Sequence, residues 1–338
     1  MNERPAKPTL EDVAQISGVS TATVSRCLNS PDKVVEQTRN RVMKAVRDLG
    51  YSPNFGARAM VAKRTNTMGA VIPTMANAIF ARGLQSFQEE LWEKGYHLLV
   101  SSSSYRADFE EEQVRSLIAR GADGLLLIGL DRSPSILKFL EQRGLPTLVA
   151  WTYSETSDLP TVGFDNRRAM QELAEQVIAM GHRKIGVISA PMVDNDRARA
   201  RFDGVRDALR EAGLPDDSLP LIETPYDIGN GSVAFAEMFA VTDPPTAILC
   251  GNDVLAAGAI RQAKEMGLNI PGDVSITGFD DIELAAIVEP TLTTVHVPHR
   301  EMGRTAARLL VEMVENGTSP KSRALQTFVQ MRNSLAAP

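Results

Sequence analysis

From Met68 onward, short apolar runs alternate with stretches in which apolar residues return every three or four positions. The runs MGAVIP, HLLVSSS, DGLLLIG and PTLVAW suit buried parallel strands, while ARGLQSFQEELWEKGY, EEEQVRSLIARGA and SILKFLEQRG suit amphipathic helices between them. After VGFDN the alternation restarts, with helices in AMQELAEQVIAMGH, ARARFDGVRDALREAG, AFAEMFAV and LAAGAIRQAKEMG and strands in KIGVISA, TAILCGND and VSITGFDD. Strand–helix–strand repetition implies a parallel sheet with helices on both faces, so the pattern predicts two doubly wound α/β lobes. TTVHVPHREMG reads as a strand that crosses between lobes and enters the next helix, and His182, just after Gly181, as the cap of the helix ending there.

The first fifty residues follow a different rhythm. Thr9 can cap a helix over LEDVAQIS, Glu11 and Asp12 favour its positive end, and Gly18 stops it. Ser20 can cap a second helix at once, with Val24 and Leu28 facing inward and Thr21, Ala22, Ser25 and Arg26 facing outward. Two short helices joined through SGVS make a helix-turn-helix, and the stripe Val42, Ala45, Val46 and Leu49 in a third helix can complete a small all-α core. A helix entering the major groove needs small residues for close approach, hydroxyls for phosphates and base edges, and an arginine for guanine; VSTATVSRCLN supplies all three.

Charge sharpens this division. The first 64 residues carry a net charge of +5, and the remainder carries -11. A small basic head on an acidic body points to one nucleic-acid-facing module attached to a partner domain of another kind. At 338 residues the chain predicts two or three compact units, and its 43% apolar and 23% charged residues exclude the disordered and fibrous classes. No apolar run approaches the roughly 20 residues of a membrane span. MNERPAKPTLEDV lacks the apolar centre of a signal peptide, and two distant cysteines, Cys27 and Cys250, cannot build a disulfide framework, so a cytoplasmic protein with no membrane partner is expected. Neither a Walker loop nor GxGxxG occurs, and the four histidines have no catalytic or metal-binding neighbours in sequence, so no enzyme, metal or cofactor is expected.

Doubly wound sheets bind ligands at the carboxyl ends of their strands, so two facing lobes create a cleft, and residues following the strands are its candidate lining. These are Asn77 and Phe80, Asp165, Asn195, Arg197 and Arg201, Tyr226, Asn252 and Asp253, and Asp280. Carboxylates and amides suit sugar hydroxyls, Phe80 or Tyr226 can stack on a pyranose face, and Arg201 can hold a hydroxyl, carboxylate or phosphate. An aspartate at a strand end also commonly caps the next helix, which is the competing role for Asp165 and Asp253.

The segment TLEDVAQISGVSTATVSRCLN...VVEQTRNRVMKAVRDLGYSPNFGARAM resembles the DNA-binding headpiece of the lactose-repressor (LacI/GalR) family of bacterial transcription regulators. The likeness is dense over about sixty residues and continues more loosely through the chain, whose body is similar to periplasmic sugar-binding proteins. It implies that Thr21 and Ala22 hold the base-reading positions. It also implies that Thr23, Ser25, Arg26 and Asn29, with the caps Thr9 and Ser20, face base edges or phosphates. In FGARAMVAKRTNT the family places a hinge helix with an apolar minor-groove wedge; Met60 stands there, with Arg58 and Lys63 toward phosphates. The implied organisation is a headpiece over 1–54, a hinge over 55–66 and an effector-binding core over 67–338. Within that core one lobe takes about 67–165 and 296–323, the other about 166–295 and 324–338. The resemblance singles out Arg201, Asn252 and Asp280 for the effector. Asn195 and Arg197 depart from purine-binding relatives, and FDN and NAIFARGLQ look nearer to gluconate-type members. The expected protein is a homodimer, or a higher assembly, that joins through the first lobe including ARGLQSFQEELW. It represses transcription from palindromic double-stranded DNA under control of a sugar or sugar acid. The alternative is a sugar-binding protein without a DNA role.

Overall fold

A computed structural model describes residues 8–52, 64–76 and 78–338. Arg58, Met60, Lys63 and Asn77, and with them residues 55–63 of the hinge and its wedge, lie outside the described residues. The chain divides into two compact units between Thr65 and Asn66.

The first unit is a three-helix bundle: α1 (Leu10–Ser17), α2 (Thr21–Asn29) and α3 (Glu36–Leu49). Thr9 and Asp12 form a reciprocal capping box, in which the Thr9 N–H donates to Asp12 Oδ2 at 2.7 Å and the Asp12 N–H donates to Thr9 Oγ1 at 3.3 Å. Gly18 ends α1 at φ 64, a left-handed conformation open to glycine, and the Ser20 hydroxyl accepts the Thr23 N–H to start α2. The core consists of Val13, Ala14, Val24, Cys27, Val42 and Ala45. Cys27, expected only as a thiol without a disulfide partner, is a core residue here. Leu28 is only partly buried, because packing selects the i, i+3 pair Val24–Cys27.

In the second unit, β1 (Thr67–Ile72), β2 (His97–Ser102), β3 (Gly124–Ile128), β4 (Thr147–Ala150) and β5 (Thr161–Gly163) form a parallel sheet in the order β5-β4-β3-β1-β2. The connecting helices are α4 (Ala78–Glu93), α5 (Ala107–Ala119) and α6 (Pro134–Arg143). On β3, Leu125 and Leu127 pack against α5 and α6 while Leu126 and Ile128 enter the opposite core, which is why the strand is an unbroken apolar run. The second lobe follows through α7 (Asn166–Ala179), β6 (Ile185–Ser189), α8 (Asp196–Glu211), β7 (Leu221–Glu223), α9 (Ile228–Phe239), β8 (Ala247–Cys250), α10 (Asp253–Glu265) and β9 (Ser275–Thr277). Its sheet is also parallel, in the order β7-β6-β8-β9.

The chain then makes a short α11 (Glu283–Ile287) and β10 (Thr294–His296), and returns to the first lobe as α12 (His299–Asn316) and β11 (Arg323–Ala324), which pairs with β5. It crosses again through β12 (Phe328–Gln330), antiparallel to β10, a pairing that the parallel strand–helix pattern does not anticipate. His182 does not cap α7; the Arg183 guanidinium donates to the Ile178 carbonyl instead, at 2.8 Å. His182 lies between Thr246 Oγ1 and the Ala336 carbonyl, each at 2.8 Å, and so pins the C-terminal tail to the second lobe. Helices α7 and α8 pack closely because Gly204 carries no side chain: a β-carbon there would sit 2.2 Å from the Arg167 carbonyl. Gly204→Ala is therefore expected to cost about 1–3 kcal/mol by forcing the helices apart, measurable as a lowered denaturation midpoint.

Candidate nucleic-acid interface and ligand cleft

Helix α2 turns Val24 and Cys27 into the bundle and leaves Ala22, Arg26 and Asn29 exposed, with Thr21, Thr23 and Ser25 half-buried beside them. The Ser20 and Thr23 hydroxyls lie 3.0 Å apart, and Asn29 Nδ2 donates to Ser25 Oγ at 3.2 Å. These bonds fix the side chains along one outward stripe. Thr9 is exposed, its amide and hydroxyl both engaged by Asp12, whose carboxyl they hold below its ordinary range.

The cleft is built around Arg201. From the first turns of α8 its Nε donates to Asn166 Oδ1 at 2.9 Å, its Nη1 donates to the Gly251 carbonyl at 2.6 Å, and its guanidinium lies 3.8 Å above the Phe279 ring. Its remaining nitrogen, Nη2, stands 3.8 Å from Asp280. Asp280 is 1% exposed, and neither carboxylate oxygen accepts a hydrogen bond. Burial pushes this carboxyl up to about 7, against the opposing pull of Arg201 and Arg197. Asn252 caps α10 through Oδ1, which accepts the Leu255 N–H at 2.9 Å, and its buried Nδ2 has no partner. The cleft thus presents a buried acceptor pair and a buried donor that the fold itself leaves unmatched.

Other candidates are placed differently. Asp165 is exposed and caps α7 by accepting the Arg168 N–H at 3.0 Å; the neighbouring Asn166 is the residue turned inward, tying Arg201 to the Trp151 carbonyl. Asp253 has both oxygens occupied, by the Thr294 hydroxyl at 2.5 Å and the Ile282 N–H at 2.8 Å, so its carboxylate is spent on the fold of the second lobe. Asn195 is buried and caps α8 through Ala198. Phe80 is no open platform: it is 3% exposed and packs on Trp151 with ring centroids 5.4 Å apart. Tyr226 meets Tyr105 of the other lobe at 6.1 Å, and burial raises both phenols. Arg197 pairs with Asp196 at 2.9 Å and lines the cleft mouth with Tyr105 and Glu110.

Trp151, Tyr105 and His299 did not stand out in the sequence. Burial drives the His299 imidazole down to about 3, so it is neutral, and its Nε2 donates to the Asp280 carbonyl at 3.2 Å. One backbone signal unites the region. Among the described residues, the non-glycine positions with positive φ are Asn66 and then Ser104, Tyr105, Trp151, Asp194, Asp280 and Asp281, which all follow strand ends or precede α8 at the cleft. Such conformations cost energy and concentrate where a site requires them.

Comparison with known proteins follows the same division. The family model for bacterial regulatory proteins of the lacI family matches residues 9–54, and that for a periplasmic binding protein-like domain matches residues 174–335. The HTH-type transcriptional repressor CytR of Escherichia coli (strain K12) is 35% identical over 308 residues, covering 91% of this chain and 90% of that protein. The crystal structure of the lac repressor dimer bound to operator and the anti-inducer ONPF superposes with a TM-score of 0.86 at 25% identity, covering 98% of this chain and 100% of that one. The transcriptional regulator CelR–cellobiose complex superposes with a TM-score of 0.71 at 29% identity, covering 97% and 99%.

Proposed function

Because the chain belongs to the lacI family of bacterial regulatory proteins, we propose that it represses transcription from a palindromic operator under control of a sugar or sugar acid held between its lobes. It is a LacI-type DNA-binding regulator with a small-molecule effector domain, and it works as a homodimer. The observation that carries this reading is helix α2, capped at Ser20, with Val24 and Cys27 buried and its hydroxyl, arginine and amide side chains aligned outward. Arg26 supplies the fork for a guanine edge, and the Thr21–Ala22 pair favours contact with a thymine methyl. Two bundles held at fixed spacing bind far more tightly than one, so any lobe rearrangement that alters the spacing releases the operator.

For the effector, the unmatched acceptors of Asp280 and the unmatched donor of Asn252, beside Arg201, suit adjacent hydroxyls of a polyol. The cellobiose complex among the structural relatives supports a carbohydrate-sized ligand in a cleft of this architecture.

The test is a mobility-shift titration of the full chain on a palindromic duplex selected from random sequence. Arg26→Ala is expected to lose about tenfold or more in affinity, as for one bidentate base contact, and to relax preference at one position of each half-site. Equal binding of wild type and variant to the selected duplex rejects the role of α2. A thermal-shift screen over neutral sugars and aldonates then identifies the effector, since saturation at a hundred times Kd stabilises by about 2.7 kcal/mol.

A further inference from the structure

The two lobes meet at the cleft mouth through groups that belong to neither Arg201 nor Asp280. On the first lobe, the loop after β3 is braced from beneath: Arg132 donates to the Gly129 carbonyl and to the Ile128 carbonyl at 3.2 Å, and pairs with the half-buried Glu110 at 2.8 Å. On the second lobe, the opening turn of α8 is fixed by its Asn195 cap and by Arg199 Nη1, which donates to the Met192 carbonyl at 2.7 Å.

Two braced surfaces then face each other. The Leu130 N–H donates to Asp196 Oδ2 at 2.9 Å. Arg199 Nη2 donates to both oxygens of Asp131, at 2.8 and 2.7 Å. The Arg197 guanidinium lies so close over Gly129 that a β-carbon there would fall 1.6 Å from its Nη1, and Gly129 itself sits at φ +74. A cavity of about 20 Å³ lies beside these contacts, lined by Tyr105, Glu110, Asp131, Asp196 and Arg197.

We infer that residues 129–132 and the first turn of α8 form a clasp that holds the lobes closed, with Asp131 and Arg199 as the positioning residues that set how often the cleft opens. The second rim contributes less. Arg82 reaches Glu283, whose side chain is 75% exposed, and the Asp281 carbonyl at 3.4 Å, and water competes well for such contacts. The Asp131–Arg199 pair is charge-assisted, with both carboxylate oxygens accepting from the one nitrogen Nη2; its partners are 28% and 44% exposed, and Nη1 is already held by the Met192 carbonyl, so little side-chain freedom is lost in forming it.

This goes beyond the regulatory reading, and its test uses neither DNA nor effector, so failure here leaves that reading standing. Spin labels on Lys138→Cys in α6 and Glu211→Cys at the end of α8 report the lobe separation of the full chain by double electron–electron resonance; the native Cys27 and Cys250 are buried. With labelled protomers diluted in excess unlabelled chain, so that only distances within one protomer are read, wild type is expected to give one narrow distance distribution. Asp131→Asn and Arg199→Met are each expected to raise the long-distance population about fivefold, the equivalent of roughly 1 kcal/mol for such a pair. The exchanged pair Asp131→Arg with Arg199→Asp restores the charge pairing without the Met192 bond, so it should bring part of the narrow distribution back, an outcome that generic damage to either loop does not produce. Identical distributions in wild type and both single variants overturn the clasp, as does a wild type that is already broad. Failure of the exchanged pair to restore any closure, with the chain still folded by circular dichroism, also counts against it.

Discussion

Asp280→Asn is expected to make the core more stable and unresponsive to effector. The carboxyl is enclosed, accepts no hydrogen bond, and titrates near 7 because burial disfavours its charge more than Arg201 and Arg197 favour it. The unfolded chain releases this proton near the ordinary aspartate value, so between about pH 4 and 7 the folded state binds more protons than the unfolded state. Stability contributed by this group is therefore lost as pH rises through that window and stays lost above 7. Asparagine keeps the shape without the charge. The variant should match wild type near pH 4 and exceed it by about 4 kcal/mol above pH 7, as read by denaturant unfolding at several pH values. Effector binding should move oppositely. Hydroxyls donate to the ionised form, so wild-type affinity should climb from pH 6 to 8. The variant, with one acceptor where two stood, should bind at least about a hundredfold more weakly, since hydrogen bonds to a charged group contribute roughly 1.5–3 kcal/mol each. Calorimetry showing equal affinity at pH 8 removes Asp280 from the site, and a variant less stable than wild type there overturns the cost assigned to its buried charge.

That trade between stability and binding clarifies what the sequence could disclose. Strand-end position placed Arg201, Asn252 and Asp280 among ten candidates, because the parallel-sheet rule depends only on where apolar runs stop, and the family resemblance singled out these three. It was too coarse to separate Asp165 from Asn166. Both follow the same strand, and only the capping bond to Arg168 decides that the aspartate faces solvent and the asparagine turns toward Arg201. Trp151 escaped notice for another reason. A tryptophan at the end of an apolar run reads as ordinary core, and its strained φ of 61 and its contacts with Gly83 and His299 join residues far apart in the chain. Asp131 and Arg199 likewise look like solvated surface charges until two lobes bring them together. The bundle was more legible, because caps and inward stripes are local. Even there the short second helix chose Cys27 over Leu28 as its second core residue, a choice made by the neighbouring helices.

The second large effect falls on that bundle. Val24→Ala is expected to weaken operator binding markedly at 37 °C while leaving effector binding and the melting of the core unchanged. Val24 is fully enclosed in a core of six buried side chains, among them the small Ala14, Ala45 and Cys27, and no disulfide or metal group is present among the described residues to brace it. A unit of this size commonly holds only about 3–5 kcal/mol in reserve. Deleting two methyl groups removes on the order of 1.5–2.5 kcal/mol of transfer and packing energy, in a place where three short helices cannot collapse around the gap without tilting α2. Two consequences then combine: a larger unfolded fraction of bundles, and misplacement of Arg26 and Asn29 in those that stay folded. A dimer needs two competent bundles at once, so the loss in operator affinity exceeds the loss in either one. Differential scanning calorimetry of the full chain should show a small low-temperature transition moving down or vanishing while the main transition stays fixed, in contrast to Arg26→Ala, which should weaken DNA binding with both transitions in place. If Val24→Ala binds the selected duplex as wild type does, the bundle does not depend on this valine, and α2 is held by something other than the six-residue core.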